Sequence, residues 1–150
     1  MRAVIQRVTQ ASVTIDHQTR DQIGVGLLVL LAAEESDTSE DLDWLSGKIV
    51  RLRIFSDAAG QMNLSLPEVG GELMVISQFT LFASTRKGNR PSFVRAAKPE
   101  LASPLYEQFL KRLELDLGRR VARGEFGADM QVSLLNDGPV TIIIDSRQRE

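Results

Sequence analysis

The segment Asn136-Asp137-Gly138-Pro139-Val140-Thr141 places a glycine and a proline between two apolar runs, Met130 to Leu135 and Val140 to Asp145, that otherwise read as strands. Proline fixes its own φ and has no N–H, and glycine reaches backbone angles closed to other residues, so an unbroken strand ladder cannot pass through this step. Two arrangements satisfy it. One is a tight Asn-Asp-Gly-Pro turn joining the arms of a hairpin; the other is a main-chain edge left exposed for use. A second stretch, Ser77-Gln78-Phe79-Thr80-Leu81, sets two hydroxyls and an amide at the end of the apolar strand Leu73 to Ile76 and weighs toward the second arrangement.

Elsewhere the chain reads as sheet interrupted by two helices. Ala3 to Val8 and Ala11 to Ile15 alternate or run apolar with β-branched residues, and Gly24 to Ala33 is a glycine-started apolar run suited to a buried strand. Asp37 followed by Glu40 resembles a capping box, and Leu42, Leu45, Ile49 and Leu52 recur at helical spacing with Lys48 and Arg51 in the last turns. This predicts a helix over 37–52, with Trp44 packing at the edge of its stripe. Asp57 to Gly60 reads as a turn, Met62 to Leu66 and Leu73 to Leu81 as strands, and residues 84–100 as a long loop. Ser103 as N-cap, Pro104 at the first helical position, the stripe Tyr106, Phe109, Leu110, Leu113, Leu117 and a closing Gly118 predict a second helix over 104–117. At 150 residues, 43% hydrophobic and 25% charged, the chain suits one domain over 1–150, of α+β class with a mostly antiparallel, barrel-like sheet.

Ordinary hydrolytic machinery is missing from this sequence. There is no cysteine, and the one histidine, His17, lies in the polar turn Asp16-His17-Gln18, where it reads as surface. Scattered carboxylates and a lone histidine give no metal shell, and Gly24-Val25-Gly26 lacks the remainder of a phosphate loop, so neither metal nor cofactor is expected. The longest apolar run, Val25 to Ala33, is too short to span a bilayer and no signal segment is recognisable, which predicts a cytoplasmic protein with no membrane contact. The net charge of −2 conceals local polarity: Ser84 to Lys98 carries Arg86, Lys87, Arg90, Arg95 and Lys98 with no acid, leaving 13 basic residues against 20 acidic ones elsewhere. Such a cluster is either a solvated face or a contact for a polyanion.

Taken with Lys87-Gly88-Asn89-Arg90-Pro91-Ser92-Phe93, Phe126-Gly127-Ala128-Asp129-Met130 and the opening Met1 to Val8, the two polar segments resemble the D-aminoacyl-tRNA deacylase family. The motifs occur in the family's order over nearly the whole chain. The resemblance implies a hydrolase of translation quality control that cleaves the ester of D-aminoacyl-tRNA, and of glycine mischarged on tRNA, while sparing L-aminoacyl groups. It implies tRNA as partner, bound through its aminoacylated acceptor end, and a homodimer with active sites at the interface. Ser77, Gln78, Phe79 and Thr80 take the catalytic role, with the Phe79 and Thr80 amides or Ser77 Oγ as oxyanion donors and Gln78 on the ribose. Thr80 then acts either as nucleophile or by orienting water. Gly138-Pro139, in cis, crosses into the partner's pocket as chiral filter; Phe126, Gly127 and Met130 line an adenine pocket; and Arg86, Lys87 and Arg90 meet phosphates. On the residues alone, Phe126 and Met130 read equally as core and Thr80 as a strand residue, and two other functions stay open: a non-catalytic RNA-binding domain, and a hydrolase of free D-aminoacyl esters.

Overall fold

The apolar run after Gly24 forms β3 (Gly26–Ala32), and its composition has a direct cause: the strand is enclosed on both faces. In the computed structural model, which describes residues 1–149, Leu27, Val29 and Leu31 pack into one core and Leu28 into another. A parallel neighbour, β6 (Glu72–Ser77), divides its side chains the same way, Leu73 and Val75 against Met74 and Ile76. Strands buried on both faces lose the alternation of half-buried ones.

The remaining elements are β1 (Arg2–Ile15), β2 (Gln18–Ile23), α1 (Ser39–Arg51), β4 (Phe55–Ser56), β5 (Met62–Leu64), α2 (Pro99–Leu117), β7 (Ala122–Arg123) and β8 (Gln131–Asp145). A six-stranded sheet follows the path β2-β1-β3-β6-β7, with β8 also paired to β1, and β4 and β5 form a separate ribbon. Pairings are antiparallel except β3 with β6 and β6 with β7. β1 serves two partners in succession: Arg2 to Val8 pair with β3, Ala11 to Ile15 with β2, and β8 accompanies both halves. Along the way its buried side chains pass from the first core (Ala3, Ile5) to the second (Val8, Ala11, Val13, Ile15), which curls the sheet into a barrel-like α+β fold. Leu42, Leu45 and Ile49 of α1 and Tyr106, Phe109, Leu110 and Leu113 of α2 cover the first core.

Several boundaries differ from the sequence reading. The capping box of α1 is Thr38 with Asp41, one residue later than expected; Asp37 is buried and instead takes the Met1 α-ammonium and the Glu34 N–H. α2 starts at Pro99 behind Lys98, so Pro104 lies inside the helix and Ser103 caps nothing. Either proline suits a first helical position, and Pro104 forgoes only one bond, to the Glu100 carbonyl. The strand expected over 73–81 stops at Ser77, and Phe79–Phe82 form a 3-10 turn. β2 is polar and mostly exposed, β4 and β7 are two residues each, and none of the three carries a readable pattern. Trp44 packs at the edge of the first core, under the Arg149 guanidinium, and Gly118 closes α2 with φ 72°. Among the described residues no helix is long and apolar enough to cross a membrane.

Gly26 lies opposite Glu72 where β3 and β6 meet. A Cβ at this position would fall 1.9 Å from the Glu72 carbonyl oxygen and 2.7 and 2.8 Å from its C and N, all backbone atoms. Gly26→Ala is therefore expected to destabilise the fold by ~3 kcal/mol, read as a lowered midpoint in urea, because neither strand can shift without repacking both cores. A loss under ~1 kcal/mol would show that the β3–β6 seam yields locally.

Candidate active site

The carboxyl ends of parallel strands leave main chain at a sheet's rim, and here the ends of β3 and β6 open into a cavity of about 580 Å³. Leu31, Ala32 and Ala33 form one side and Ile76, Ser77 and Gln78 the other. Tyr106 of α2 supplies a further wall, with Phe126, Gly127, Ala128 and Met130 from the segment between β7 and β8. Lys98 is the one charged side chain among the described lining residues, which include no carboxylate or histidine. Nor do the described residues hold a cluster of three or more metal-ligating side chains anywhere.

The local hydrogen bonding shows what this wall offers a ligand. Gln78 N–H donates to the Leu31 carbonyl at 2.7 Å, which fixes the chain as it leaves β6. The first N–H groups of a helical turn have no acceptor inside it, and those of Phe79 and Thr80 have no other acceptor among the described residues. Gln78 Nε2 donates to Thr80 Oγ1 at 2.5 Å. A carboxamide is no base whichever way it is turned, so the side-chain hydrogen-bond partner of Thr80 among the described residues would not take its proton. Tyr106 is also removed from acid-base work: burial pushes its phenol well above the ordinary range, and its hydroxyl donates to the Val75 carbonyl at 2.9 Å. Its ring lies 6.1 Å from that of Phe126.

The Gly138-Pro139 step is not a hairpin turn. Gln131–Asp145 is one strand, and both of its halves pair with β1. Between the pairs Gln6 with Thr141 and Val8 with Asn136, the single residue Arg7 faces four residues, Asp137 to Val140, so β8 bulges outward there. Asn136 closes the bulge by accepting the Val140 N–H at 2.9 Å. Gly138 has φ 124°, a conformation that excludes a side chain, and its bond to Pro139 is cis. Both residues are exposed, and neither lines the cavity. Arg7 pairs with Leu27, four residues or roughly 13 Å along β3 from Leu31 at the cavity, so the cavity and the bulge of one copy lie well apart.

Of the expected site residues, the structure gathers Ser77, Gln78, Phe79, Phe126, Gly127 and Met130 around one cavity, with Thr80 bonded to Gln78 just outside it. Arg86, Lys87 and Arg90 are exposed on the loop between Phe82 and α2 and do not line the cavity. Arg7 was not expected. It is 8% exposed, donates through Nη1 to the Ile54 carbonyl at 2.6 Å and through Nε to the Asp137 carbonyl at 3.2 Å, and pairs with the Asp137 carboxylate at 3.0 Å. The signal was present in β1, where an arginine takes the inward parity of Ala3 and Ile5.

Fold and site together define a barrel-like α+β protein whose cavity has no carboxylate, histidine or thiol among its described lining residues. Known proteins narrow the class. The family described as D-Tyr-tRNA(Tyr) deacylase matches residues 4–145. Proteins named D-aminoacyl-tRNA deacylase from Akkermansia muciniphila and Bacteroides thetaiotaomicron are 63% and 60% identical over 150 residues, the full length of this chain and of each relative. A solved structure titled c-Myc DNA Unwinding Element Binding Protein superposes with TM-score 0.90 at 41% identity, covering 97% of this chain and 98% of that one. Another, of a probable eukaryotic D-amino acid tRNA deacylase, shares the fold at TM-score 0.84 and 18% identity, over 95% and 97% of the two chains. The chain belongs to the D-Tyr-tRNA(Tyr) deacylase family.

Arg7→Ala would leave the Ile54 and Asp137 carbonyls without their donor and the bulge without its support. The expected loss is about 3 kcal/mol, measured by urea unfolding. Arg7→Lys should recover only part of it, since an ammonium cannot fork to both carbonyls as a guanidinium does. Full recovery by lysine would show that charge alone suffices at this position.

Proposed function

We infer that this protein hydrolyses the ester of D-aminoacyl-tRNA, releasing the free D-amino acid and tRNA. The observation that carries the reading is a cavity with no carboxylate, histidine or thiol among its described walls, at whose edge the Phe79 N–H and, just outside, the Thr80 N–H have no acceptor among the described residues. Chemistry so sparse suits a substrate that is already activated, and an aminoacyl ester beside a ribose hydroxyl is one. The protein need only orient the ester and stabilise the oxyanion that forms on attack by water.

In this proposal the Phe79 and Thr80 amides, with Ser77 Oγ, receive the oxyanion, and Gln78 holds the terminal ribose. Thr80 Oγ1 accepts from Gln78 and keeps its own proton free to donate, which suits orienting water or ester and not nucleophilic attack. The terminal adenine lies against Phe126, Gly127 and Met130, and the exposed Arg86, Lys87 and Arg90 meet acceptor-end phosphates. Such contacts carry no sequence information and accept many tRNAs. The same reading takes residues 1–150 as one deacylase domain at work in the cytoplasm.

Chiral selection is assigned to Gly138-Pro139 of a second copy. Support comes from the separation of bulge and cavity within one copy and from β8 itself, whose far edge has no partner strand among the described residues. Leu134, Leu135 and Ile143 on that strand are exposed at 38%, 55% and 69%, apolar surface that a second copy would cover. Main chain brought into the cavity from outside would crowd an L side chain and pass its mirror image. Exclusion of this kind is indifferent to which side chain is present, so glycine also passes.

Incubation with labelled substrates tests the reaction: D-aminoacyl-tRNA and glycyl-tRNA should be hydrolysed and L-aminoacyl-tRNA spared, with Thr80→Ala keeping measurable turnover. An acyl-enzyme trapped on Thr80 would overturn the water-attack route. Binding without turnover would mark an RNA-binding domain, and hydrolysis of free D-aminoacyl esters but not of tRNA would mark the third function.

Replacing Arg86, Lys87 and Arg90 together by alanine is expected to lower the slope of log affinity against log salt by about 2, at roughly 0.7 per phosphate contact for a single strand. Thermal stability should stay within about 0.5 kcal/mol, since all three side chains are exposed. An unchanged salt slope would reduce the loop to solvated surface.

A further inference from the structure

Three of the phenylalanines, Phe55, Phe82 and Phe109, are 5%, 1% and 0% exposed, whereas Phe79 is 57% exposed at the edge of the cavity. Its ring meets that of Phe93 in an edge-to-face contact, centroids 5.2 Å apart and planes at 75°. Phe93 lies between Arg90 and Arg95 on the basic loop, and its backbone is anchored on both sides. Ser92 exchanges two hydrogen bonds with Ser84, at 2.8 and 2.9 Å, and the Ala96 N–H donates to the Phe93 carbonyl at 3.0 Å. The aromatic pair is thus held in place where the basic loop meets the cavity, with more ring surface left to solvent than core packing explains.

We propose that the Phe79–Phe93 pair is a stacking platform for the penultimate nucleotide of the tRNA 3′ end, the base that precedes the terminal adenosine. The inference rests on the deacylase reading of the cavity and adds to it a second base site. An aromatic ring set beside exposed cations is how proteins hold single-stranded nucleic acid without reading its sequence, the ring taking a base and the cations the phosphates. A strand whose terminal nucleoside occupies the cavity leaves through its mouth, which carries the next base past Phe93 and the next phosphates past Arg86, Lys87 and Arg90. The platform positions substrate and takes no part in the bond cleavage. Its loss should therefore appear in KM and leave kcat in place.

The test pairs a protein change with a substrate change. Wild-type protein and Phe93→Leu are assayed on D-aminoacyl-tRNA with either the normal penultimate cytidine or an abasic residue there. Removing the base should raise the wild-type KM roughly 5- to 150-fold, the range for one stacked base. Phe93→Leu should raise it to a similar extent with kcat within about twofold, combining the two changes should add nothing, and Phe93→Tyr should restore the wild-type value. Two losses that multiply, a loss confined to kcat, or an abasic substrate handled as well as the normal one would overturn the platform. The last comparison needs only wild-type protein, so it decides the matter even where Phe93→Leu fails to fold. Wild-type protein inert toward normal D-aminoacyl-tRNA would overturn the deacylase reading itself, an outcome distinct from turnover without coupling.

Discussion

Enclosure of β3 and β6 between two cores is the constraint on which the rest of the molecule depends. A parallel pair buried on both faces cannot move laterally, and Gly26 against Glu72 allows no slack where the two strands meet. Its carboxyl ends are consequently fixed points, and the chain leaving them is held at once: Gln78 N–H bonds back to Leu31 across the seam. The main-chain donors of Phe79 and Thr80 inherit their positions from that rigidity. Preorganised donors of this kind stabilise a developing charge without reorganising to meet it.

The bulge opposite Arg7 answers a different demand with the same economy of side chains. A proline removes one ladder donor, and the four residues facing one leave a gap in the β1–β8 pairing. A guanidinium reaching from β1 fills it, with two of its N–H groups directed to carbonyls that would otherwise be buried without partners. The outer side of the bulge stays free, which allows Gly138 and Pro139 to face a second molecule while their inner side is pinned. Cavity and bulge lie toward opposite ends of the β1–β3 pairing, which is why the proposed chiral filter draws its bulge from a second copy.

The parts of this architecture legible in the sequence were those whose signal is local. The closing glycine of α2, the stripe from Tyr106 to Leu113 and the doubly buried run of β3 all follow from residues within a few positions of one another. Illegible were the features decided by a distant partner. Met130 to Leu135 and Val140 to Asp145 look like the arms of a hairpin because nothing in them says that both arms pair with β1. α2 starts at Pro99, five residues before the proline that reads as its first position, and the turn from Pro99 to Ser103 carries no apolar stripe that would announce it. Arg7 escaped notice because a charged residue on an inward parity is informative only when the carbonyls waiting for it are known. The candidate site was more legible than its chemistry suggests: the resemblance named Ser77, Gln78, Phe126 and Met130, and the fold brings them to one cavity.

That legibility has a physical origin. A site built from titratable side chains announces itself by residue type, whereas a site built from main chain exposes atoms that every residue shares. What the sequence must then specify is backbone conformation, and the residues that do so are glycine, proline and the amide or hydroxyl that ties down a turn. Gly138 at φ 124°, Gly127 at φ 80°, Pro139, and Gln78 bonded to Thr80 are of this kind. An inventory of acids, bases and metal ligands finds nothing in this chain, while a reading of its backbone-setting residues arrives at the cavity and the bulge. Selection by main chain also has a chemical consequence in the proposed reaction. A carbonyl edge senses where a side chain points and not what it is, so the discrimination it gives is stereochemical, broad across side chains and blind to glycine.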